Sequence, residues 1–177
     1  MKELEDATFW RLLKPEVVAW AVAEHEGRRS ICPVAWTMRT SISPTMMAVS
    51  VAPTRFTHGL IERAGSFVLA YPGRDLAQAT AYCGTHSGRE VDKFAQAGVT
   101  ALPARRVAAP LIAECVANLE CRVVDRIATG DHAIFVGEVV AAWAQEEPGK
   151  LLCLVDDAAG YETVLQDERF RFGVVRG

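Results

Sequence analysis

The segment GTHSGREVDKF, residues 84–94, decides how the rest of this sequence is interpreted. Two glycines among small polar residues predict a loop, and the charged residues after them predict that the loop runs into a helix. Ser87 followed at the third position by Glu90 is a capping box. We therefore predict that the helix begins at Gly88 or Arg89.

A helix start of this kind suits an anion, because its backbone N–H groups point outward and carry partial positive charge. Lys93 lies further along the same predicted helix and adds a full positive charge. The pattern is equally typical of a well-capped surface helix that binds nothing. Local chemistry alone leaves both interpretations open.

The composition is that of an ordinary globular protein. The chain has 177 residues, of which 50% are hydrophobic and 23% are charged, and we expect one domain over residues 1–177. A net charge of -3 without a basic stripe argues against a nucleic-acid partner. The acidic first residues resemble no secretory signal, and the longest apolar run, residues 17–23, is too short to cross a bilayer. We expect a cytoplasmic protein that has no membrane partner.

The five cysteines indicate free thiols, since an odd number in a cytosolic chain does not form a disulfide framework. Cys83 and His86 have a metal-like spacing, but no further ligand completes a tetrahedral set, and we predict no metal site. The serine in residues 84–88 comes one place too late for the Gly-x-Ser-x-Gly motif of serine hydrolases. A Cys–His nucleophile pair stays open, although no cysteine has an evident electropositive environment.

Hydrophobic periodicity predicts many strands and only short helices. The helices are expected at 3–13, from an N-cap at Thr57 to Gly65, and at 75–83 with Asp75 as the cap. Residues 39–44 are expected to be a polar loop, and residues 99–109 to be irregular. Strands are expected at 17–23 (buried on both faces), 29–37, 46–51, 66–71, 118–127, 132–144, 151–155 and 169–175.

The strand at 118–127 has apolar residues alternating with charged or polar ones, which is typical of a half-buried strand. The order of elements shows no regular β-α-β alternation. It therefore favours a mainly β, antiparallel barrel over a doubly wound sheet.

Four segments in the same order resemble the flavin reductase-like family. They are SICPVAW with SISP and AVSV (residues 30–51), RFTHGLI (55–61), SGREVDKF (87–94), and LECR with GDH and VGEV (119–139). The resemblance implies an antiparallel Greek-key split barrel that binds FMN, with short helices. It also implies a homodimer with the FMN site near the subunit interface.

The resemblance further implies which residues bind the cofactor. A buried phosphate needs paired charges, which Arg55 and Lys93 can supply together with the hydroxyls of Thr57 and Ser87. The alternative is that the two charges are solvated and that the two hydroxyl residues only cap helices. Ser30 stands where many relatives carry asparagine. The complete predicted set is Ser30, Trp36, Thr37, Ser41, Arg55, Thr57, Ser87, Gly88, Lys93, His132 and Phe170.

The function implied by the resemblance is that of an NAD(P)H-dependent flavin oxidoreductase, in which hydride passes from a nicotinamide to the flavin. No separate catalytic residues are expected, because the flavin itself carries the electrons. FMN is favoured over FAD, since no Gly-x-Gly-x-x-Gly fingerprint is present. Two alternatives stay open: a flavoredoxin-like FMN electron carrier that exchanges electrons with a redox partner protein, and a non-catalytic binding module on the same barrel.

Overall fold

A computed structural model describes residues 3–4, 12–156 and 160–176. These residues form thirteen strands, three α-helices and one 3₁₀ turn. The predicted helix at 3–13 falls largely outside the described residues.

The helices are α1 Phe56–Ala64, α2 Ala77–Thr85, preceded by the 3₁₀ turn Arg74–Leu76, and α3 Lys93–Ala97. The strands are β1 Glu16–Val17, β2 Ala19–His25, β3 Arg28–Val34, β4 Thr37–Ser41, β5 Met46–Val51, β6 Ser66–Tyr71, β7 Ala101–Leu102, β8 Leu111–Ile112, β9 Ala117–Thr129, β10 His132–Ala144, β11 Cys153–Leu154, β12 Tyr161–Gln166 and β13 Arg171–Val175.

The strands form antiparallel sheets, which confirms the predicted fold class. Seven strands pair in the order β3-β2-β6-β9-β10-β5-β4, and four smaller strands pair in the order β1-β11-β13-β12. β7 and β8 form a separate pair. β5, β6 and β10 occupy the predicted ranges.

The strands β2 and β6 lie between two hydrophobic cores. Trp20 and Val22 of β2 pack into one core, together with α2, α3 and the four-stranded sheet. Ala19, Ala21 and Ala23 of the same strand pack into the other core, between β2 and the long β9–β10 hairpin. Successive side chains of a strand point to opposite faces, so alternate residues reach different cores. This explains why the run that contains β2 is apolar at every position.

Two loop predictions were wrong. Much of residues 39–44 belongs to β4, whose backbone pairs with β5 and leaves only a tight turn at residues 42–45. Residues 101–102 form β7 within the segment expected to be irregular. In both cases backbone pairing with a neighbouring strand overrides the local sequence, which is polar in the first segment and flanked by proline in the second. β12 was not predicted, and it pairs with β13.

Three helix starts were also wrong. Ser87 begins a turn, in which its hydroxyl accepts from Arg89 N at 3.2 Å and its carbonyl accepts from Glu90 N. The helix α3 starts only at Lys93, where the carboxylate of Asp92 accepts from Phe94 N at 2.9 Å. An ionised acceptor at this position forms a stronger cap than the serine hydroxyl.

The caps predicted for α1 and α2 are displaced in the same way. Arg55 is the N-cap residue of α1, and Thr57 is buried in its first turn. Asp75 lies in the 3₁₀ turn, and Leu76 is the N-cap residue of α2. The α1 helix ends at Gly65 as predicted, with the left-handed φ of 63° that glycine adopts without strain.

Candidate functional site

A cleft of about 510 Å³ opens between β3, the start of α1 and the segment 84–94 with which the sequence analysis began. Seven of the predicted binding residues line it. They are Ser30, Arg55, Thr57, Ser87, Gly88, Lys93 and Phe170.

A smaller adjoining cavity of about 290 Å³ shares Cys32–Ala35, Arg55 and Leu154 with the cleft. Trp36 and His132 line it, with ring centroids 4.9 Å apart. His132 Nδ1 lies 2.7 Å from the carboxylate of Asp131. The structure therefore brings together nine of the eleven predicted residues in two neighbouring spaces.

Thr37 and Ser41 lie outside both spaces. Thr37 begins β4, and its side chain is hydrogen-bonded to that of Tyr71. Ser41 ends the same strand, where it pairs with Met46 of β5.

Gly88 and Ser30 lie in close contact in the cleft wall. A Cβ atom added at Gly88 would lie 2.3 Å from Ser30 Oγ and 3.0 Å from Phe56 Cδ1. Only glycine permits this approach without movement of its neighbours. Residue 88 is thus constrained by packing, a reason that the local sequence does not reveal.

Ser30 presents an unsatisfied polar atom to this wall. The residue is 1% exposed, and its Oγ has no hydrogen-bond partner among the described residues. Buried hydroxyls are nearly always paired, because leaving one unpaired costs about 1–3 kcal/mol. A ligand oxygen in the cleft would satisfy this atom.

Lys93 brings a buried positive charge to the same wall. Its Nζ donates to the carbonyl oxygens of Ile31 at 2.7 Å and of Cys83 at 2.6 Å. An ammonium group has three donors, so one N–H is left for a ligand. Burial lowers the pKa of Lys93, and the nearby Arg55 guanidinium lowers it further, against the opposing effect of the Cys32 and Cys83 thiols.

The charges around the cleft favour an anion. Its lining includes the cations Arg55, Arg89 and Lys93 and one carboxylate, Glu90. Among the residues that the structure describes, none of these three cations lies within 4.0 Å of a carboxylate oxygen. The positive cleft contrasts with the chain's net charge of -3.

The thiols of the cleft are unsuited to nucleophilic attack. Burial raises the pKa of Cys83 to about 11, and it raises the pKa of Cys32 despite the opposing charges of Lys93 and Arg55. Both are neutral thiols at neutral pH, whereas the thiolate is the reactive form. All five cysteines are free, and the described residues contain no group of three or more His, Cys, Asp or Glu that could hold a metal.

No helix among the described residues is long and apolar enough to span a membrane.

The C-terminal strands complete the cleft. Phe170 precedes β13 and stacks on Phe172, with ring centroids 5.5 Å apart. Its Cζ would lie 3.5 Å from a Cβ atom at Gly84. The carboxylate of Asp167 accepts from the backbone N–H groups of Arg169 and Phe170 at 2.7 Å each, which fixes the turn that carries this ring.

The sequence analysis missed a buried carboxylate elsewhere. Glu120 lies in the β9 segment expected to expose its polar residues, but it is fully buried. It accepts from the backbone N–H groups of Arg105, Arg106 and Val107 and from Trp143 Nε1. These donors belong to the backbone and to a distant indole, so no signal in the local sequence could have found them.

The family comparison matches residues 12–164 to the model described as flavin reductase like domain. An uncharacterised protein of Pyrococcus abyssi is 36% identical over 138 residues, which are 78% of this chain and 79% of that protein. An uncharacterised protein of Archaeoglobus fulgidus is 41% identical, and the match covers 59% of each chain. The NADH:riboflavin 5′-phosphate oxidoreductase of Streptomyces pristinaespiralis is 27% identical over 72% of this chain and 70% of its own length.

Solved structures share the fold over most of the chain. The flavoredoxin of Methanosarcina acetivorans has a TM-score of 0.83 and 26% identity, covering all of this chain and 92% of that one. An FMN-binding protein of Thermus thermophilus with bound p-hydroxybenzaldehyde has a TM-score of 0.77 and 30% identity, covering 89% of this chain and 93% of that one.

Proposed function

Because this chain belongs to the flavin reductase-like family, a flavin-binding family, we propose that it holds FMN in the cleft and transfers hydride to it from NADH or NADPH. The observation that carries the proposal is the unsatisfied Ser30 Oγ, buried in a cleft wall whose cations have no acidic partner. A flavin phosphate would satisfy both the oxygen and the charges.

The residues present fit such a phosphate. Arg55 offers a bidentate guanidinium, Lys93 a remaining N–H, and Ser30 and Ser87 hydroxyl groups. Each hydrogen bond to a charged group contributes on the order of 1.5–3 kcal/mol, so several are sufficient for stable binding. The absence of a Gly-x-Gly-x-x-Gly fingerprint supports FMN rather than FAD.

The remaining lining suits a flat ring system. Phe170, Pro33, Val34 and Ala35 are apolar, and Trp36 with His132 borders the adjoining cavity. We propose that these residues orient the ring and exclude water from one side of it. When bound, the isoalloxazine supplies the redox chemistry itself. The protein's contribution is then to bind, orient and shield.

The experiment that tests hydride transfer is anaerobic mixing of the FMN-loaded protein with NADH or NADPH. Rapid bleaching of the visible flavin band is expected. The Streptomyces pristinaespiralis relative is named an NADH:riboflavin 5′-phosphate oxidoreductase, which supports the proposal of hydride transfer from a nicotinamide. If neither nucleotide reduces the flavin while a chemical reductant does, the reductase proposal is wrong.

The second candidate is an electron carrier that keeps its FMN and accepts electrons from a redox partner protein. The full-length match to the Methanosarcina acetivorans flavoredoxin favours it. The same mixing experiment separates the two functions. If calorimetry shows no FMN binding to the folded protein, both fail, and the chain is a binding module on this barrel.

We also propose a homodimer. The edge strand β4 and the turn after it expose Met38 and Ile42, which are 63% and 83% accessible. Apolar side chains on an open sheet edge favour pairing with another chain. Sedimentation at micromolar concentration tests this, and a monomer with bound flavin contradicts it.

A further inference from the structure

Two exposed arginines lie against Phe56, whose ring lines the cleft together with Ser30. Arg28 Cζ lies 4.4 Å from the ring centroid of Phe56, and Arg89 Cζ lies 5.6 Å from the same centroid. Arg89 is also fixed by a hydrogen bond from Nη1 to the carbonyl oxygen of Thr54 at 3.0 Å. One ring of the cleft lining thus contacts two guanidinium groups.

Neither arginine has an acidic partner. In the described part of the chain, no carboxylate oxygen lies within 4.0 Å of Arg28 or Arg89. Two like charges beside one ring repel each other, and ordering their long side chains costs entropy. A negatively charged ligand that contacts both would offset both costs.

Backbone geometry connects this pair to the phosphate position proposed above. Arg28 and Ser30 are two residues apart on β3, so their side chains leave the same face of the strand. Arg89 directly follows Gly88, which packs against both Ser30 and Phe56. Both arginines therefore extend from backbone positions that adjoin the Ser30–Gly88 contact.

We propose that Arg28 and Arg89 form a second phosphate-binding subsite beside the first, which takes a phosphoryl group of a dinucleotide. The inference rests on the proposed function, because it assumes a first phosphate at Ser30 and Lys93. The phosphoryl group could belong to a flavin adenine dinucleotide, whose other phosphate fills the first position. With FMN in the first position, it could instead belong to the nicotinamide dinucleotide that reduces the flavin. The chemistry of recognition is the same.

Isothermal calorimetry with inorganic pyrophosphate and with orthophosphate tests the subsite on flavin-free protein. We expect pyrophosphate to bind at least tenfold more tightly, since two further charge-assisted contacts form. The double variant Arg28→Gln/Arg89→Gln should lose this preference, with its fold checked by circular dichroism. Arg63→Gln, an exposed arginine in the last turn of α1, is the matched control and should keep it.

A second titration distinguishes the two sources. Loss of FAD affinity relative to FMN in the double variant assigns the subsite to a flavin dinucleotide. Loss of NADH affinity relative to reduced nicotinamide mononucleotide, on FMN-loaded protein, assigns it to the reductant. A pyrophosphate preference that is absent, or that survives in the double variant, overturns the proposal. So does a preference with neither dinucleotide affected, because an adventitious ion only would then explain it.

These outcomes are separable from the failure of the proposed function. If FMN and riboflavin both fail to bind the unaltered protein, the flavin site is wrong, whatever pyrophosphate does. If FMN binds and pyrophosphate shows no preference, only the subsite is wrong.

Discussion

Lys93 and Glu120 are both charged and buried, yet the chain treats them differently. Glu120 accepts four hydrogen bonds, three from backbone N–H groups and one from an indole. Lys93 donates two, both to backbone carbonyls, and it faces an open cleft. A buried charge whose hydrogen-bonding capacity is filled by its own chain stabilises the fold. A charge with an unused donor beside a cleft is available to a ligand.

The largest expected effect comes from removing the satisfied charge. Glu120→Ala should lower the free energy of unfolding by roughly 3–5 kcal/mol, because four donors lose their acceptor at once. Urea denaturation measures this. Glu138→Ala, which removes the partner of Arg122 in a surface ion pair, should change stability by less than about 1 kcal/mol. If Glu120→Ala were as stable as Glu138→Ala, Glu120 would not be a structural charge, and the contrast with Lys93 would be wrong.

The next effect tests the available charge. Arg55→Ala combined with Lys93→Ala should weaken FMN binding by about 100-fold or more, since two charged contacts to the phosphate are lost. Riboflavin, which has no phosphate, should bind the variant nearly as well as the unaltered protein. Fluorescence titration with both flavins measures the difference. Equal losses for the two ligands would mean that these residues do not hold the phosphate.

A smaller effect is expected from filling the space beside Ser30. Gly88→Ala places a methyl group 2.3 Å from Ser30 Oγ, so the wall and the Ser30 side chain must shift. We expect FMN affinity to fall by about tenfold. Gly149→Ala is the control, because its Cβ would come no closer than 4.0 Å to any neighbour. Unchanged FMN affinity in the Gly88 variant would exclude Ser30 from the site.

The smallest effects concern the pH dependence of stability. The contribution of Glu120 should change in acid, and that of Lys93 should change in alkali. Burial raises the pKa of Glu120, but its hydrogen bonds outweigh this and hold the pKa below its usual value. Its stabilisation is therefore present above the unfolded pKa and is lost as pH falls through the folded one. The difference in urea midpoint between the unaltered protein and Glu120→Gln should shrink in acid.

For Lys93 the sign is reversed, because burial lowers the pKa of a cation. Its charge destabilises the ligand-free protein below the folded pKa, and this penalty disappears as pH rises towards the unfolded pKa. Stability relative to Lys93→Met should therefore increase on the alkaline side, while FMN affinity falls there. A pH-independent difference between these two proteins would show that Lys93 has an ordinary pKa.

The sequence predicted the parts of this structure that depend on periodicity or on an ordered set of motifs. β5, β6 and β10 have the expected bounds, and nine predicted binding residues line the cleft or its neighbour. It failed where two residues compete for one role, as when Asp92 rather than Ser87 caps α3. It also failed where distant strands pair, because the partner of β4 or β12 is not a property of the local sequence.

Thr37 and Ser41 show a further limit. Both follow Trp36 in the sequence but line neither space, because their positions depend on the β4–β5 pairing, and Thr37 is hydrogen-bonded to Tyr71. The burial of Glu120 could not be predicted either. The alternating pattern of β9 predicts that its polar residues face solvent, and Glu120 is buried only because the loop at residues 105–107 encloses it.

The two-faced strand β2 has a consequence for insertions and deletions. Its alanines face the core that holds Phe67 and Leu69, and its Trp20 faces the other core, where the indole donates to Thr80. A single-residue insertion ahead of Trp20 would turn each side chain of the strand towards the opposite core. The indole would then enter a space sized for a methyl group and would leave a cavity in the core that it fills now. The segment should therefore accept substitutions far more readily than any change in length, and natural variation in the length of this chain should be found elsewhere.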